Sequence, residues 1–226
     1  MITPYDWQEG IGNRAQYIEG KLRHGSPVLA VSLDAGILIY TKRRQSKKIY
    51  EVYDRLAYAA IGQQSDVEAL RSSAVEFAHQ EGYNRSEQDV TIQRVVTALS
   101  APVKKAFSDF SSAPLVARSL FIEINSQVDE DRFYILNYDG DYTTYSRCAA
   151  AAGTDSGTDF ALASMAKINQ ASTVEDATAK LEGVWQEVIR EDDERDMSGP
   201  DLIAEAVLIE RSTQREDRFR VLTVEG

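Results

Sequence analysis

Strand-forming segments in this chain come in blocks, and the blocks are separated by pairs of helix-forming segments; no other feature limits the fold as strongly. Between residues 27 and 62, "PVLAVSL", "GILIYT", "KIYEVYD" and "LAYAAIG" follow one another, each rich in branched or aromatic residues and punctuated by Gly or Asp. Two long amphipathic segments come next. The first, 65–80, carries Val67, Leu70, Ala74 and Phe77 on one face, with Ser65 and Glu68 at capping-box spacing and Gly82 as a stop. The second starts at Ser86 and carries Ile92, Val95, Leu99, Val103 and Phe107, with a kink expected near Ala98 because of Pro102. Strands resume with "SLFIEIN" and "RFYILNY", and Asp139-Gly140 predicts a two-residue hairpin into "DYTTYS". A strand over 147–153 precedes a second helix pair near 157–169 and 173–190. Ser172 with Glu175 caps the latter, and Leu181, Trp185 and Val188 form its stripe. "LIAEAVLIE" and "RFRVLTV" close the chain as strands.

Strands that do not alternate with helices exclude a doubly wound parallel sheet and predict an α+β protein with antiparallel sheets. Each amphipathic helix pair needs a sheet face, and the two sheets must then bury their remaining faces against each other. The result is a four-layer αββα sandwich, expected as a single domain over 1–226, a length ample for a buried core.

Ahead of the first strand block, Trp7, Ile11, Ala15, Ile18 and Leu22 recur at steps of three and four and predict a helix, with Asp6 and Glu9 at capping spacing. Lys21, Arg23 and His24 suit its C-terminal end, and Gly25 its stop. Ser26 follows at once. A serine there has two readings: the first residue of a strand, or a nucleophile whose base is its own amine, freed by cleavage of Gly25-Ser26. Lys48 could lower the pKa of such a nucleophile. The well-capped helix over the preceding residues favours retained structure and the strand reading. Gly10 to Ala15 matches G-x-G-x-x-A, but no strand precedes it and no βαβ unit follows, so the dinucleotide mechanism has no support.

Composition narrows function further. At 43% apolar, 9% aromatic and 27% charged the chain is globular in character, and a net charge of −11 argues against nucleic acid and anionic membranes as partners. No apolar run approaches a bilayer span and no signal-like N-terminus is seen, so a cytoplasmic protein is expected. The single cysteine, Cys148, reads as a buried inert thiol in a reducing compartment. His24 and His79 lack partners at ligand spacing, so no metal site is expected, and no cofactor motif is present. The acidic run at 190–196 lacks a calcium-loop pattern and reads as a hydrated connection.

Four segments in order, "KIYEVYDRLAYAAIG" at 48–62, "AVEFAHQEGYNRSEQDVT" at 74–91, "FYILNYDGD" at 133–141 and the tail "AVLIERSTQREDRFRVLTVEG", resemble proteasome α-type subunits, especially those of actinobacteria. The resemblance covers almost the whole chain. It implies the αββα fold of N-terminal-nucleophile hydrolases and a non-catalytic member of a threonine-type endopeptidase complex. Such subunits form heptameric rings that cap rings of catalytic β subunits, gate substrate entry and dock an ATP-driven unfoldase.

The resemblance also assigns roles to residues. Ser26 falls where an active β subunit has its catalytic threonine, and Lys42 where such a subunit has an acidic partner, so the base network lacks its carboxylate. Lys48 matches a lysine that holds the C-terminal carboxylate of an activator tail, a charge-assisted contact suited to an ammonium. Met1, Ile2, Thr3, Pro4 and Tyr5 correspond to the gate over the axial pore, although Tyr5-Asp6-Trp7 only partly matches the Tyr-Asp-Arg of archaeal and eukaryotic subunits. The alternative is a self-assembling hydrolase that uses Ser26 after cleavage.

Overall fold

The apolar runs of the central strands have no polar face because each side of each strand meets a different layer. In the computed structural model, which describes residues 4–190, 202–213, 215 and 217–224, ten strands form two five-stranded sheets. The first sheet takes β1 (Val28–Leu33), β2 (Gly36–Arg43), β8 (Cys148–Ala151), β9 (Ile203–Glu210) and β10 (Phe219–Leu222), in the order β10-β9-β2-β1-β8. The second takes β3 (Ile49–Tyr53), β4 (Leu56–Gly62), β5 (Ala117–Glu123), β6 (Arg132–Leu136) and β7 (Tyr142–Tyr145), in sequence order. Every pairing is antiparallel.

Side-chain alternation sorts these strands into three cores. Val28, Ala30, Ile37 and Ile39 of the first sheet meet Ala57, Ala59, Leu120, Ile122 and Phe133 of the second between the sheets. Their neighbours Leu29, Val31, Leu38 and Tyr40 face α4 (Asp155–Met165) and α5 (Val174–Arg190). On the other side Tyr58, Ala60, Phe121 and Tyr134 face α2 (Gln64–Asn84) and α3 (Ile92–Ser108). The layers are therefore helix pair, sheet, sheet, helix pair, the αββα arrangement expected from the block order.

α1 (Pro4–Leu22) lies outside this scheme and closes it. Ile18 and Leu22 are wholly buried in the core between the sheets. Each such burial stabilises by roughly 1.5–3 kcal/mol. The Tyr138 hydroxyl donates to Glu19 at 2.7 Å, and Arg14 donates to the carbonyls of Ala106 and Ser112 at 3.2 and 2.8 Å while its guanidinium covers the Phe110 ring. A Cβ at Gly10 would come within 2.9 Å of that ring, so the glycine marks close packing in mid-helix. The G-x-G-x-x-A match thus lies within a continuous helix and forms no phosphate loop. The predicted stripe is only half right: Trp7 is 48% exposed, because only the C-terminal half of α1 overlies the sandwich. Asp6 lies within the first turn and not before it.

Other local expectations yield to tertiary contacts. α2 runs through Gly82 to Asn84; a Cβ at Gly82 would meet the Tyr53 hydroxyl at 2.4 Å, so that glycine clears room for a ring and does not stop the helix. Gln63 occupies the N-cap without a side-chain bond, and Ser65 bonds Asp66 in place of a capping box. Ser86 leads into a single turn of 3-10 helix, and α3 begins at Ile92 and continues through Pro102. Thr173, not Ser172, caps α5, accepting from the Asp176 amide at 3.2 Å. The β6–β7 connection is longer than two residues: Gly140 takes φ +86, its amide donates to the Asn137 carbonyl at 3.0 Å, and the Asn137 amide donates to Asp141 at 2.9 Å. Met1, Ile2 and Thr3 of the expected gate, and the acidic run after Arg190, lie outside the described residues. Pro4 and Tyr5 open α1. Among the described residues, no helix is long and apolar enough to cross a membrane.

Candidate functional site

α1 ends at Leu22, and the Gly25 amide donates back to the Leu22 carbonyl at 2.8 Å, turning the chain into β1. A Cβ at Gly25 would lie 3.0 Å from Ile61, so the turn is pressed against the second sheet. Ser26 follows, buried at 8% exposure.

Its hydroxyl is used up by local structure. Ser26 Oγ donates to the Lys42 carbonyl at 2.5 Å and accepts from the Trp185 indole N–H at 3.3 Å, which also reaches the Pro27 carbonyl at 3.2 Å. Thr41 Oγ1 donates to the same Pro27 carbonyl at 2.7 Å. Among the described residues, no carboxylate or imidazole accepts the Ser26 proton, which goes to the Lys42 carbonyl. A deprotonating base, the first need of a serine nucleophile, is not supplied by this geometry.

The two lysines singled out in the sequence both reach this neighbourhood. Lys42 Nζ pairs with Glu182 of α5 at 2.7 Å and stands over the Trp185 ring, 5.5 Å from its centroid. Lys42 is thus a cation already bound to an acid. Burial, reinforced by the Glu182 carboxylate, pushes the neighbouring Tyr40 hydroxyl well above its ordinary range. Lys48 Nζ donates to the Ser26 carbonyl oxygen at 2.6 Å, so the lysine grips the main chain and not the hydroxyl.

Behind Lys48 opens a groove of about 830 Å³ between the β2–β3 connection, the start of α2 and the start of β9. Arg43, Arg44 and Lys48 give it cationic walls, Gln64 a polar one, and Leu202 with Ile203 an apolar one. Glu205 lies beneath it. This carboxylate, 8% exposed on β9, accepts from the Lys48 amide at 3.0 Å and the Ile49 amide at 3.3 Å, and forms an ion pair with Arg43 at 3.2 Å. Sequence reasoning missed Glu205, Glu182 and the role of Trp185. The one available signal was the lone acid at position 205 inside the apolar run "LIAEAVLIE", since a buried charge needs partners.

Cys148 is remote from this cluster, opposite Val31 in the β1–β8 ladder. Burial pushes its thiol up, outweighing the opposing charge of Arg147, so it is not activated. His24 and His79 are both exposed, and His79 lies edge-on to Tyr53. Among the described residues no group of three acids, histidines or cysteines could hold a metal.

Two face-to-face antiparallel sheets, helix pairs outside them and a hydroxyl residue at the start of β1 define the sandwich of the N-terminal-nucleophile hydrolase class. Within that class the chain belongs to the proteasome subunit family: the family profile, described as "Proteasome subunit", matches residues 22–204. Its relatives include the proteasome subunit alpha of Jonesia denitrificans, 27% identical over 216 residues, 95% of this chain and 90% of that protein. The proteasome subunit alpha of Xylanimonas cellulosilytica is 32% identical over 130 residues, 57% of this chain and 53% of that protein. That of Streptosporangium roseum is 28% identical over 145 residues, 62% and 56% of the two chains. The resemblance to actinobacterial α-type subunits carried by the four sequence segments is thus matched by the relatives.

Proposed function

We propose that the chain is a non-catalytic α-type subunit of a proteasome core particle. It forms heptameric outer rings on rings of β subunits in the cytoplasm, gates substrate entry through Met1 to Tyr5, and docks an ATP-driven unfoldase through the Lys48 groove. The observation that carries the non-catalytic reading is the engagement of Ser26: its hydroxyl donates to the Lys42 carbonyl, and the helix before it is rooted between the sheets. Lys42, paired with Glu182, stands where an acid would be required.

Docking is supported by the groove's chemistry. Three cations, Arg43, Arg44 and Lys48, gather on a protein of net charge −11, a local contrast that attracts a terminal carboxylate. The apolar wall of Leu202 and Ile203 suits an extended segment whose preceding side chains are apolar. Ring formation, β partners and the gate rest on the kinship with α-type subunits.

The test is coexpression with an actinobacterial proteasome β subunit, read by particle size, fluorogenic peptide hydrolysis and intact mass. A large particle containing this chain with residues 1–25 retained, and hydrolysis only when β is present, is the expected result. A species beginning at Ser26 that hydrolyses peptide without β would overturn it.

A further inference from the structure

Glu205 is a buried carboxylate that accepts from two main-chain amides. It sits on β9 of the first sheet, opposite Thr41 in the β2–β9 ladder, yet its oxygens cross to the amides of Lys48, just before β3 of the second sheet, and Ile49, its first residue. The amides of Lys48 and Ile49 lie at the start of an edge strand, and burying such donors unpaired is destabilising. Glu205 satisfies both. The same side chain, 7% exposed, holds Arg43 at 3.2 Å, so a single group fixes the main chain beneath Lys48 and the guanidinium beside it. Lys48 is then held through its amide by Glu205 and through its ammonium by the Ser26 carbonyl.

We infer that Glu205 is a positioning residue for the cationic groove: it sets the placement of Lys48 and Arg43 against which a C-terminal carboxylate is recognised. This rests on the docking reading above. A negative charge beneath a site for an anion works against affinity, so its retention there follows from geometry and not from charge. An amide in its place offers one oxygen to two N–H donors and turns an NH2 group toward Arg43 or a backbone amide. The start of β3 then loosens, and with it the lysine.

The test uses a fluorescein-labelled octapeptide with apolar residues at its last three positions, made with a free C-terminal carboxylate and as the C-terminal amide, titrated onto assembled particles by anisotropy. With the wild-type chain the carboxylate form binds about 10- to 100-fold more tightly than the amide form, the effect of one charge-assisted hydrogen bond. In Glu205→Gln that ratio falls to within about threefold, and hydrogen exchange at residues 48 and 49 quickens. Glu205→Asp, which keeps the charge on a side chain one methylene shorter, restores part of the ratio and serves if the Gln variant does not assemble. A Gln variant that keeps the full ratio or binds the carboxylate form more tightly than wild type, or an Asp variant that restores none of the ratio, overturns the role of Glu205 while leaving the docking reading intact. Equal binding of the two peptides by the wild-type particle overturns the docking reading and this inference with it.

Discussion

Lys48 Nζ donates a 2.6 Å hydrogen bond to the carbonyl oxygen of Ser26, joining the edge of one sheet to the first turn of the other. The contact places a positive charge against a carbonyl oxygen, where it steadies the junction between α1 and β1. It does nothing to withdraw a proton from the neighbouring hydroxyl, which donates elsewhere.

Replacing Lys48 with Ala removes the ammonium from the groove and from the Ser26 carbonyl. Particles should still assemble, because the ladders of both sheets are untouched. Stimulation of peptide hydrolysis by an unfoldase should weaken about 10- to 100-fold in apparent affinity, the size of a lost charge-assisted hydrogen bond. Titration of the unfoldase against wild-type and variant particles measures this; unchanged stimulation counts against the docking role.

Ser26→Ala deletes a buried hydroxyl but leaves the Trp185 N–H with the Pro27 carbonyl and Lys42 with Glu182. The loss is one modest hydrogen bond, about 1 kcal/mol, or roughly 2–4 °C in melting temperature for a chain of this size. Calorimetry gives the melting point, and peptide hydrolysis by α/β particles should stay at the wild-type level. A variant particle devoid of hydrolysis would restore Ser26 as a nucleophile.

Asp131 is wholly buried and takes both terminal nitrogens of Arg211, at 2.9 and 2.7 Å, while accepting from the Asn125 amide at 2.8 Å. Arg211 in turn holds the carbonyls of Asn125 and Leu33, tying the end of β1 to the β5–β6 loop. Asp131→Ala leaves the guanidinium without its counter-charge, at a cost of about 3–5 kcal/mol. The urea midpoint should fall by roughly 1–3 M. A shift below a few tenths of a molar would show that the pair contributes little.

Burial raises the Cys148 thiol above its ordinary pKa, so at pH 8 the folded protein keeps the sulfur protonated and covered. Reaction with a disulfide reagent at that pH should be at least about tenfold slower in the native state than in urea. Equal rates would mean that β8 opens readily.

The layer order was legible in the sequence because it depends on pattern: strands such as "VLAVSL" and "LAYAAIG" are apolar at successive positions, which only a strand covered on both sides sustains. Local signals misled where a distant side chain decided the outcome. Gly82 looks like a helix stop until the Tyr53 ring is seen to occupy the space its missing Cβ leaves. Trp7 fits a buried stripe, but the sandwich does not extend beneath it. At the site, Ser26, Lys42 and Lys48 were found from residue type and order. Their partners Glu182 and Glu205 lie 140 and 157 positions away from the lysines they serve, and no periodicity reports a contact of that span.

The seating of Ile18 and Leu22 sets a limit on how such a chain could ever acquire peptidase activity. Exchanging the residue at position 26 for a better nucleophile would leave a stoppered cleft and an acylated nitrogen. The whole leading segment would have to be excised, and the hole left in the middle of the sandwich refilled, before any side chain there could meet a substrate.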